Sequence, residues 1–594
     1  MLLRLLPAIA FASAALAAPS PLSLAAVKKA PGHVDASAPV QLTRTWLGNL
    51  CSAYITNRGK APVRVREVIL FDIPHTMPGN TLFYGEGSQM LSQTGGTLAA
   101  PEDIGDYTDA KHYKLPQPEG ARTVYGVATF STPDRTSHTL LGFTSGKRFF
   151  SKFHVRANSI QVVADTENLE LAPGESWELE EFMAAEGANR EELLGQLATR
   201  IGKNHPRLKF DAPPTGWCSW YCFGPIVTAK QVLDNLDFIA EKAPGLRYVQ
   251  IDDGYQPAMG DWLDTGTAFG GDVQGVLRQI RERGFQPAIW VAPFIAEAGS
   301  RLFQDHPDWF VKGPDGKPLR SDTVTFGGWR HGPWYAVDGT HPEAQKHLET
   351  VFRTMREKWG VTYFKLDANF WGALPGGRFH DPKATRVEAY RRGMEAVLRG
   401  SGGAFILGCN HPLWPSLGLI HGSRSSNDIN REWETIRHVA RQGLYRNWQN
   451  GTLWWNDPDA VILNGKPTEE EIRFHASVIL ASGGMLLSGD DLPNLAADRL
   501  AMLRKLAPPS GAAAKFEDDT FAVGQTNLAD RTLLFALNWD DQPKNITVSL
   551  PGTCDVKELW TGQRFGRKFG RLELPALPAH SGRVLVCMGA RPQQ

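Results

Sequence analysis

Residues 246–291 of this 594-residue chain read LRYVQIDDGYQPAMGDWLDTGTAFGGDVQGVLRQIRERGFQPAIWV. The apolar runs LRYVQI and QPAIWV at the two ends are short, as buried strands are, and the stretch VQGVLRQIRERG between them has apolar residues at helical spacing. A strand–helix–strand unit of this kind is typical of parallel strands joined by a crossover helix.

The same unit recurs in both directions along the chain. We predict eight strands, at TGWCSW (215–220), LRYVQI (246–251), QPAIWV (286–291), VTYFKL (361–366), AFILG (404–408), GLIHG (418–422), TLWWN (452–456) and GGMLLS (483–488). Eight such units favour a (β/α)8 TIM barrel over an open doubly wound sheet. No GxGxxG follows the first strand, which also argues against a dinucleotide fold.

The segments on either side alternate between apolar and polar residues and have little helical periodicity, which is the pattern of antiparallel strands. A Pro-containing stretch, NHPRLKFDAPPTG, precedes the first barrel strand and indicates a domain boundary. We therefore predict a multidomain chain with an N-terminal β-sandwich (18–205), a catalytic barrel (206–505) and a C-terminal antiparallel β-domain (506–594).

The first residues, MLLRLLPAIAFASAALA, have the layout of a secretory signal peptide. An early Arg4 precedes an apolar run, and small residues stand before a cleavage point after Ala17. We expect residues 1–17 to be removed and the protein to be exported, to the periplasm or beyond the cell. The apolar run is shorter than the roughly 20 residues of a membrane-spanning helix.

Composition restricts the class of molecule that the protein could bind. The 63 basic residues balance the 63 acidic ones, so the chain has no net field to attract nucleic acid or an anionic membrane. Eighteen Trp side chains suit the apolar faces of pyranose rings, although Trp also fills large cores. We expect a small-molecule or oligosaccharide substrate and no cofactor. No His cluster lies near Cys218 and Cys222 to complete a zinc site.

Polar residues stand just after the predicted strands, where the active site of a (β/α)8 barrel lies. A group of carboxylates with two cations, without a phosphate loop, suits the cleavage of an acetal. The candidates are Asp252 and Asp253 after the second strand, Lys365 and Asp367 on the fourth, Cys409 after the fifth, and Arg424 and Asp428 after the sixth.

In acetal cleavage, one carboxylate attacks the anomeric carbon while another protonates the departing oxygen. Asp367 is the better nucleophile, because Lys365 projects from the same strand face two residues away and should keep it ionised. Asp428 follows a Gly/Ser-rich turn and could serve as acid and then base if its pKa is raised.

Seven motifs in this region match a known family in order. They are GWCSWY (216–221), YVQIDDGYQ with GDWL (248–256, 260–263), AIWVAPF (288–294), HPDWFVK (306–312), YFKLDANFWGALPGGR (363–378), FILGCNHPLWPSLGLIHGSRSSND (405–428) and WWNDPDAVIL (454–463). With them, the stretch from Gly216 to about Asp491 resembles the melibiase-like α-galactosidases of glycoside hydrolase family 36 and, more distantly, family 27. The two families form one clan of retaining enzymes.

The resemblance implies roles for the carboxylates. Asp367 would be the nucleophile and Asp428 the acid/base, while Asp252 and Asp253 would bind the axial 4-hydroxyl and the 6-hydroxyl of galactose. Acceptors left unpaired by an equatorial 4-hydroxyl would be costly, which would favour galactose over glucose.

The resemblance also assigns the remaining contacts. Lys365 would donate to the 3- and 4-hydroxyls, and Arg424 and Cys409 would lie near the 2-hydroxyl. Trp220 and Trp290 match aromatic walls, although they could instead fill the barrel, and Cys409 could be only a small packed residue. Family members commonly bring a Trp from the N-terminal domain towards the sugar, whereas YGEGSQML (84–91) has none.

We therefore expect an exo-acting retaining α-galactosidase that works by double displacement. One alternative keeps this mechanism but acts on α-N-acetylgalactosaminides or β-L-arabinopyranosides, or transfers the sugar to another sugar. Another is a catalytically silent sugar-binding protein on the same fold. In the C-terminal domain, Cys554 and Cys587 could form a disulfide if their strands are adjacent and in register, or could remain buried free thiols.

Overall fold

In the computed structural model, which describes residues 20–589, the central sheet consists of eight parallel strands. The predicted leader, residues 1–17, lies outside the described residues. The strands are β1 (Thr215–Cys218), β2 (Tyr248–Ile251), β3 (Gln286–Val291), β4 (Tyr363–Leu366), β5 (Phe405–Gly408), β6 (Gly422–Arg424), β7 (Trp455–Asp457) and β8 (Leu486–Ser488).

All eight predicted strands are present, and six of them (β2, β4, β5, β6, β7 and β8) begin one to four residues later than predicted. β6 starts at residue 422 rather than 418, and β7 at residue 455 rather than 452. Leu419 and Ile420 are buried in the core just before β6, so the apolar run begins before the hydrogen-bonded ladder does.

The sheet curls into a nearly closed barrel. Its strands pair in the order β7-β6-β5-β4-β3-β2-β1-β8. Across the remaining seam, Met485 N donates to Asn456 O at 2.8 Å, and Val461 N donates to Leu487 O at 2.7 Å. The seam is thus bridged by single hydrogen bonds rather than by a regular ladder.

Helices cover most of the outer face of the barrel. They are α1 (Ala229–Lys242), α2 (Val273–Glu282), α3 (Pro342–Glu357), α4 (Arg386–Ser401), α5 (Trp433–Tyr445), α6 (Glu469–Ser482) and α7 (Ala497–Leu506). Capping boxes at Thr228, Thr385 and Thr468 fix the starts of α1, α4 and α6.

The strand–helix alternation predicted for all eight units is wrong at one of them. Between β5 and β6, residues 409–421 hold only the short 3-10 turn Trp414–Ser416. Pro412 and Pro415 supply no N–H donor for a helix. The N-terminal domain binds this connection instead: Leu413 N donates to Ser88 O at 3.1 Å, and Trp414 Nε1 donates to Phe143 O at 2.8 Å.

Glycines of the N-terminal domain make room for the Trp414 ring. A Cβ at Gly126 would lie 2.2 Å from ring atoms of Trp414, and one at Gly146 would lie 2.6 Å from its carbonyl oxygen. Any side chain at either position would therefore push the two domains apart.

The N-terminal domain is a 13-stranded antiparallel sheet. Its strands are His33–Ala36, Gln41–Leu47, Leu50–Thr56, Val63–Pro74, Leu82–Glu86, Gln93–Gly96, Pro101–Asp103, Arg122–Ser131, His138–Phe143, Phe150–Val155, Ser159–Leu171, Ser176–Glu178 and Phe182–Gly187. Helices at Leu24–Lys29 and Asp109–His112 accompany it, and Arg190–Asn204 leads to β1.

After α7, antiparallel strands form a six-stranded sheet and a two-stranded sheet. The strands are Lys515–Phe516, Val523–Asn527, Arg531–Asn538, Lys544–Ser549, Cys554–Glu558, Arg564–Lys568, Arg571–Leu577 and Ser581–Met588. Cys587 lies opposite Val556, so Cys554 is its diagonal neighbour. All six cysteines are free thiols, and the disulfide considered from the sequence is therefore not formed.

Two further properties concern residues 20–589 as a whole. None of the helices there combines the length and the apolar character that crossing a membrane requires. Nor does that part of the chain bring together three or more His, Cys, Asp or Glu side chains in a way that could hold a metal ion.

Candidate active site

A cavity of about 290 Å³ opens at the carboxyl ends of the barrel strands. Its volume is near the lower end of the roughly 300–1,000 Å³ that small-molecule sites occupy. Eight of the nine residues predicted from the sequence line it, namely Trp220, Asp252, Asp253, Trp290, Lys365, Asp367, Cys409 and Asp428. The ninth, Arg424, lies behind Asp428 and is 1% exposed.

Asp252 and Lys365 form a buried ion pair on the floor of the cavity. The Lys365 Nζ atom lies 2.9 Å from Asp252 Oδ2, and the two side chains are 7% and 2% exposed. Gln250 Nε2 also donates to Asp252 Oδ2, at 2.7 Å. Burial lowers the pKa of Lys365, but the charge of Asp252 outweighs this and raises it well above its ordinary value. Lys365 is therefore a cation throughout the working pH range.

Asp253 is held by an arginine that sequence reasoning missed. Arg330 binds it through two bonds, Nε to Oδ2 at 3.1 Å and Nη2 to Oδ1 at 2.5 Å. Arg330 belongs to the long connection between β3 and α3, which also places Trp329 on the cavity wall. No strand-end pattern marked this loop, so the sequence carried no signal for it.

Asp367 directly follows β4 and faces the cavity. The next residue, Ala368, has a φ of 51°, which non-glycine residues rarely adopt. This turn lets Ala368 N donate to Asp367 Oδ1 at 2.7 Å, while Trp290 Nε1 donates to Oδ2 at 3.2 Å. Burial raises the pKa of Asp367, and Lys365 opposes that rise without cancelling it. The expected ionising effect of Lys365 is present but is not dominant.

Asp428 lies beside Arg424 at the end of β6. Arg424 Nη2 donates to Asp428 Oδ1 at 2.7 Å, and the Asp428 side chain is 62% exposed, so it faces open space. The surrounding protein raises the pKa of Asp428, but Arg424 and then Lys365 lower it by more, and the net shift is downward. The raised pKa considered from the sequence is therefore wrong.

Behind Arg424 lies a further buried carboxylate, Asp459, in the loop after β7. Asp459 Oδ2 accepts hydrogen bonds from Arg424, from the hydroxyl of Tyr221 and from Ile429 N, the last at 2.7 Å. Its φ of 73° lies in the left-handed region, which Asp tolerates better than most residues. The sequence placed Asp459 in a family motif but gave it no role.

The remaining predicted residues line the walls. Trp290 packs edge-on against Trp262 with ring centroids 5.7 Å apart, so it has both core and cavity contacts. Cys409 is buried, and Arg424 Nη1 lies 3.9 Å from its sulfur. Burial raises the pKa of the Cys409 thiol well above its ordinary value, so it remains a neutral thiol.

The N-terminal domain contributes to the mouth of the cavity. Leu91, Asp106 and Tyr107 line it together with the barrel residues. Burial and then the charge of Asp428 raise the pKa of Tyr107. Nothing in the local sequence pattern identified these side chains.

Comparison with known proteins supports the likeness read from the motifs. Residues 234–394 match the family model described as Melibiase. The mouse myogenesis-regulating glycosidase is 30% identical over 161 residues, which are 27% of this chain and 22% of that protein. The A type blood α-D-galactosamine galactosaminidase of Flavonifractor plautii is 29% identical over 208 residues, which are 33% of this chain and 18% of that protein.

Among solved structures, an α-galactosidase from Thermus thermophilus in complex with p-nitrophenyl α-D-galactopyranoside superposes with a TM-score of 0.62 and 25% identity. The match covers 83% of this chain and 97% of that chain. By contrast, this chain spans only about a fifth of the two curated relatives named above. The predicted likeness to melibiase-type α-galactosidases is confirmed.

Proposed function

From its resemblance to melibiase-type α-galactosidases, we propose that this protein is an exo-acting retaining α-galactosidase. The observation that carries the proposal is the convergence of Asp367, Asp428 and the Asp252–Lys365 pair on one cavity. A silent sugar-binding protein would have no need to keep two carboxylates and a cation in this arrangement.

In the first step, an oxygen of Asp367 attacks the anomeric carbon and forms a galactosyl ester, while the bond from that carbon to the departing oxygen breaks. Asp428 gives its proton to the departing oxygen. The N–H groups of Ala368 and Trp290 hold the attacking carboxylate in place. Holding it in this way removes orientational freedom before the reaction begins.

In the second step, a water molecule attacks the anomeric carbon and gives a proton to the Asp428 carboxylate. The ester bond breaks, Asp367 is released as a carboxylate, and Asp428 is protonated again. Two displacements on the same carbon restore the α configuration, so the product is α-galactose.

For the sugar itself, Asp252 and Asp253 would bind the 4- and 6-hydroxyls, and Lys365 would donate to the 3- and 4-hydroxyls. Asp252 and Lys365 are buried together. A sugar without the axial 4-hydroxyl would therefore leave the hydrogen-bonding capacity that remains on these two side chains without a partner. The relative from F. plautii is a galactosaminidase, which keeps the α-N-acetylgalactosaminide alternative open. Arg424 and Cys409 would lie near the 2-position, which distinguishes the two sugars.

The test combines a substrate panel with product stereochemistry. Nitrophenyl glycosides of α-galactose, α-N-acetylgalactosamine and β-L-arabinopyranose should separate the alternatives, and we expect the α-galactoside to be cleaved fastest. Proton NMR during the first minutes of hydrolysis should show α-galactose before mutarotation. β-Galactose as the first product would refute double displacement, and binding of galactose without cleavage of any glycoside would favour the silent alternative.

A further inference from the structure

Asp428 and Asp459 share one guanidinium. Arg424 Nη2 lies 2.7 Å from Asp428 Oδ1 and also donates to Asp459 Oδ2. The Arg424 and Asp459 side chains are 1% and 4% exposed, whereas that of Asp428 is 62% exposed. One cation therefore lies between a carboxylate facing the cavity and a carboxylate sealed behind it.

This arrangement raises a difficulty for an acid at Asp428. A general acid must hold a proton when the substrate arrives, yet an arginine within hydrogen-bonding distance favours the ionised form by about 1 to 3 pKa units. The more fully Arg424 is neutralised by another carboxylate, the less it acts on Asp428. Asp459 is the carboxylate in position to do this.

On these grounds, and resting on the proposed function, we propose that Asp459 is a positioning residue that competes with Asp428 for the Arg424 guanidinium and so lets Asp428 hold and donate its proton. The hydrogen bonds from Ile429 N, 2.7 Å long, and from Tyr221 fix the competing oxygen in place. Ala460 N donates to the other oxygen at 2.7 Å. Asp459 is therefore held rigidly against the arginine.

The other charged groups near Asp459 do not replace it in this role. Asp457, the last residue of β7, accepts a hydrogen bond from Asp459 N at 3.1 Å and makes none with Arg424. Arg431 lies near Tyr221 but pairs with Asp490, at 3.2 Å. Among the described residues, the carboxylates that pair with Arg424 are Asp428 and Asp459.

The protonation of Asp459 makes the competition sensitive to pH. Burial raises the pKa of Asp459 to about 7, with Arg424 lowering it and then Asp428 and Asp457 raising it. As the pH rises through that value, Asp459 gains its negative charge and neutralises Arg424.

The test measures the pH dependence of kcat/KM for Asp459→Asn on two substrates. Methyl α-galactoside has a poor leaving group and needs the acid, whereas p-nitrophenyl α-galactoside needs it little. With the methyl glycoside, kcat/KM falls at high pH as the acid loses its proton, and we expect this alkaline limb of the profile to move to lower pH by about 1 unit. The change for the nitrophenyl substrate should be much smaller. An equal loss on both substrates, without movement of the limb, would show a merely structural role and overturn the inference.

A matched control is Asp490→Asn, which removes a buried carboxylate that pairs with Arg431 instead of Arg424. This variant should leave the limb where it is. Arg424→Gln tests the competition from the other side and should move the limb to higher pH. Arg424→Gln also provides the test if Asp459→Asn does not fold. An alkaline limb at the same pH in Arg424→Gln and in the unchanged protein would equally overturn the inference.

Failure of the inference differs from failure of the proposed function. If Asp428 is the acid/base, Asp428→Ala should slow the methyl glycoside far more than the nitrophenyl glycoside. If that selectivity is absent, the proposed function fails. If it is present while Asp459→Asn slows both substrates equally, only the role of Asp459 is refuted.

Discussion

The interface between the N-terminal domain and the barrel contains a fully buried ion pair. Arg446 and Glu86 are both 0% exposed, and Arg446 Nη2 lies 2.6 Å from Glu86 Oε2. Arg446 also donates to the backbone carbonyls of Met90, Ser92 and Ser425. We predict that Arg446→Met and Glu86→Leu each destabilise the protein strongly, and that the double variant costs far less than their sum.

The expected magnitude follows from what each variant leaves behind. Removing one partner leaves a charge buried without its counterion, which costs about 3–5 kcal/mol. Independent losses would therefore sum to about 6–10 kcal/mol. The double variant buries no charge, and its remaining cost comes from polar groups that the single variants also leave unpaired, at about 1–3 kcal/mol each. We expect it to be no less stable than the worse single variant, with a coupling energy of about 3 kcal/mol or more.

Urea unfolding followed by Trp fluorescence measures these differences. With about 1–3 kcal/mol per molar urea, each single variant should lose roughly 1 M or more in midpoint. The control is Arg441→Met, which breaks an exposed pair with Glu102 across the same interface, 37% and 47% exposed, and should cost less than about 1 kcal/mol. A double variant as unstable as the two losses added together would refute the reasoning, because the two side chains would then act independently.

Three further predictions concern the cavity and the thiols. Asp367→Ala should lower kcat by at least about 10⁴-fold while calorimetry still detects galactose binding, and loss of both together would point to a collapsed site. Because burial raises the pKa of Asp367 and the nucleophile must be ionised, kcat/KM should fall as the pH drops through a value above 3.8, and a limb at or below 3.8 would contradict this. Thiol titration of unfolded, unreduced protein should count six free cysteines, whereas four would show a disulfide, to be located by peptide mapping.

The sequence predicted the parts of the site that follow local rules. Apolar runs marked the barrel strands, and a barrel brings their carboxyl ends together, so Asp252, Asp367 and Asp428 were identified from their place after a strand. The same rule placed Lys365 on the face of β4 that it shares with Asp367. Contacts within a strand or at its end are set by the two-residue repeat and need no knowledge of the rest of the fold.

Contacts between distant segments could not be predicted in this way. Arg330 reaches Asp253 from an irregular loop 77 residues away, and Tyr107 comes from another domain. The pKa of Asp428 was misjudged because its direction depends on where the Arg424 guanidinium points, which spacing does not reveal. The helix expected between β5 and β6 is missing for the same reason, since a neighbouring domain binds that connection.

That missing helix bears on how the protein can be divided. The outer layer of a (β/α)8 barrel usually consists of the barrel's own helices. Here the N-terminal domain covers residues 409–421 instead, and Trp414 packs against Gly126 and Gly146. A truncated protein that begins at residue 206 would open this side of the barrel to water and lose Tyr107 from the cavity mouth. Any portable unit for expression, domain shuffling or evolutionary exchange must therefore keep the N-terminal domain with the barrel.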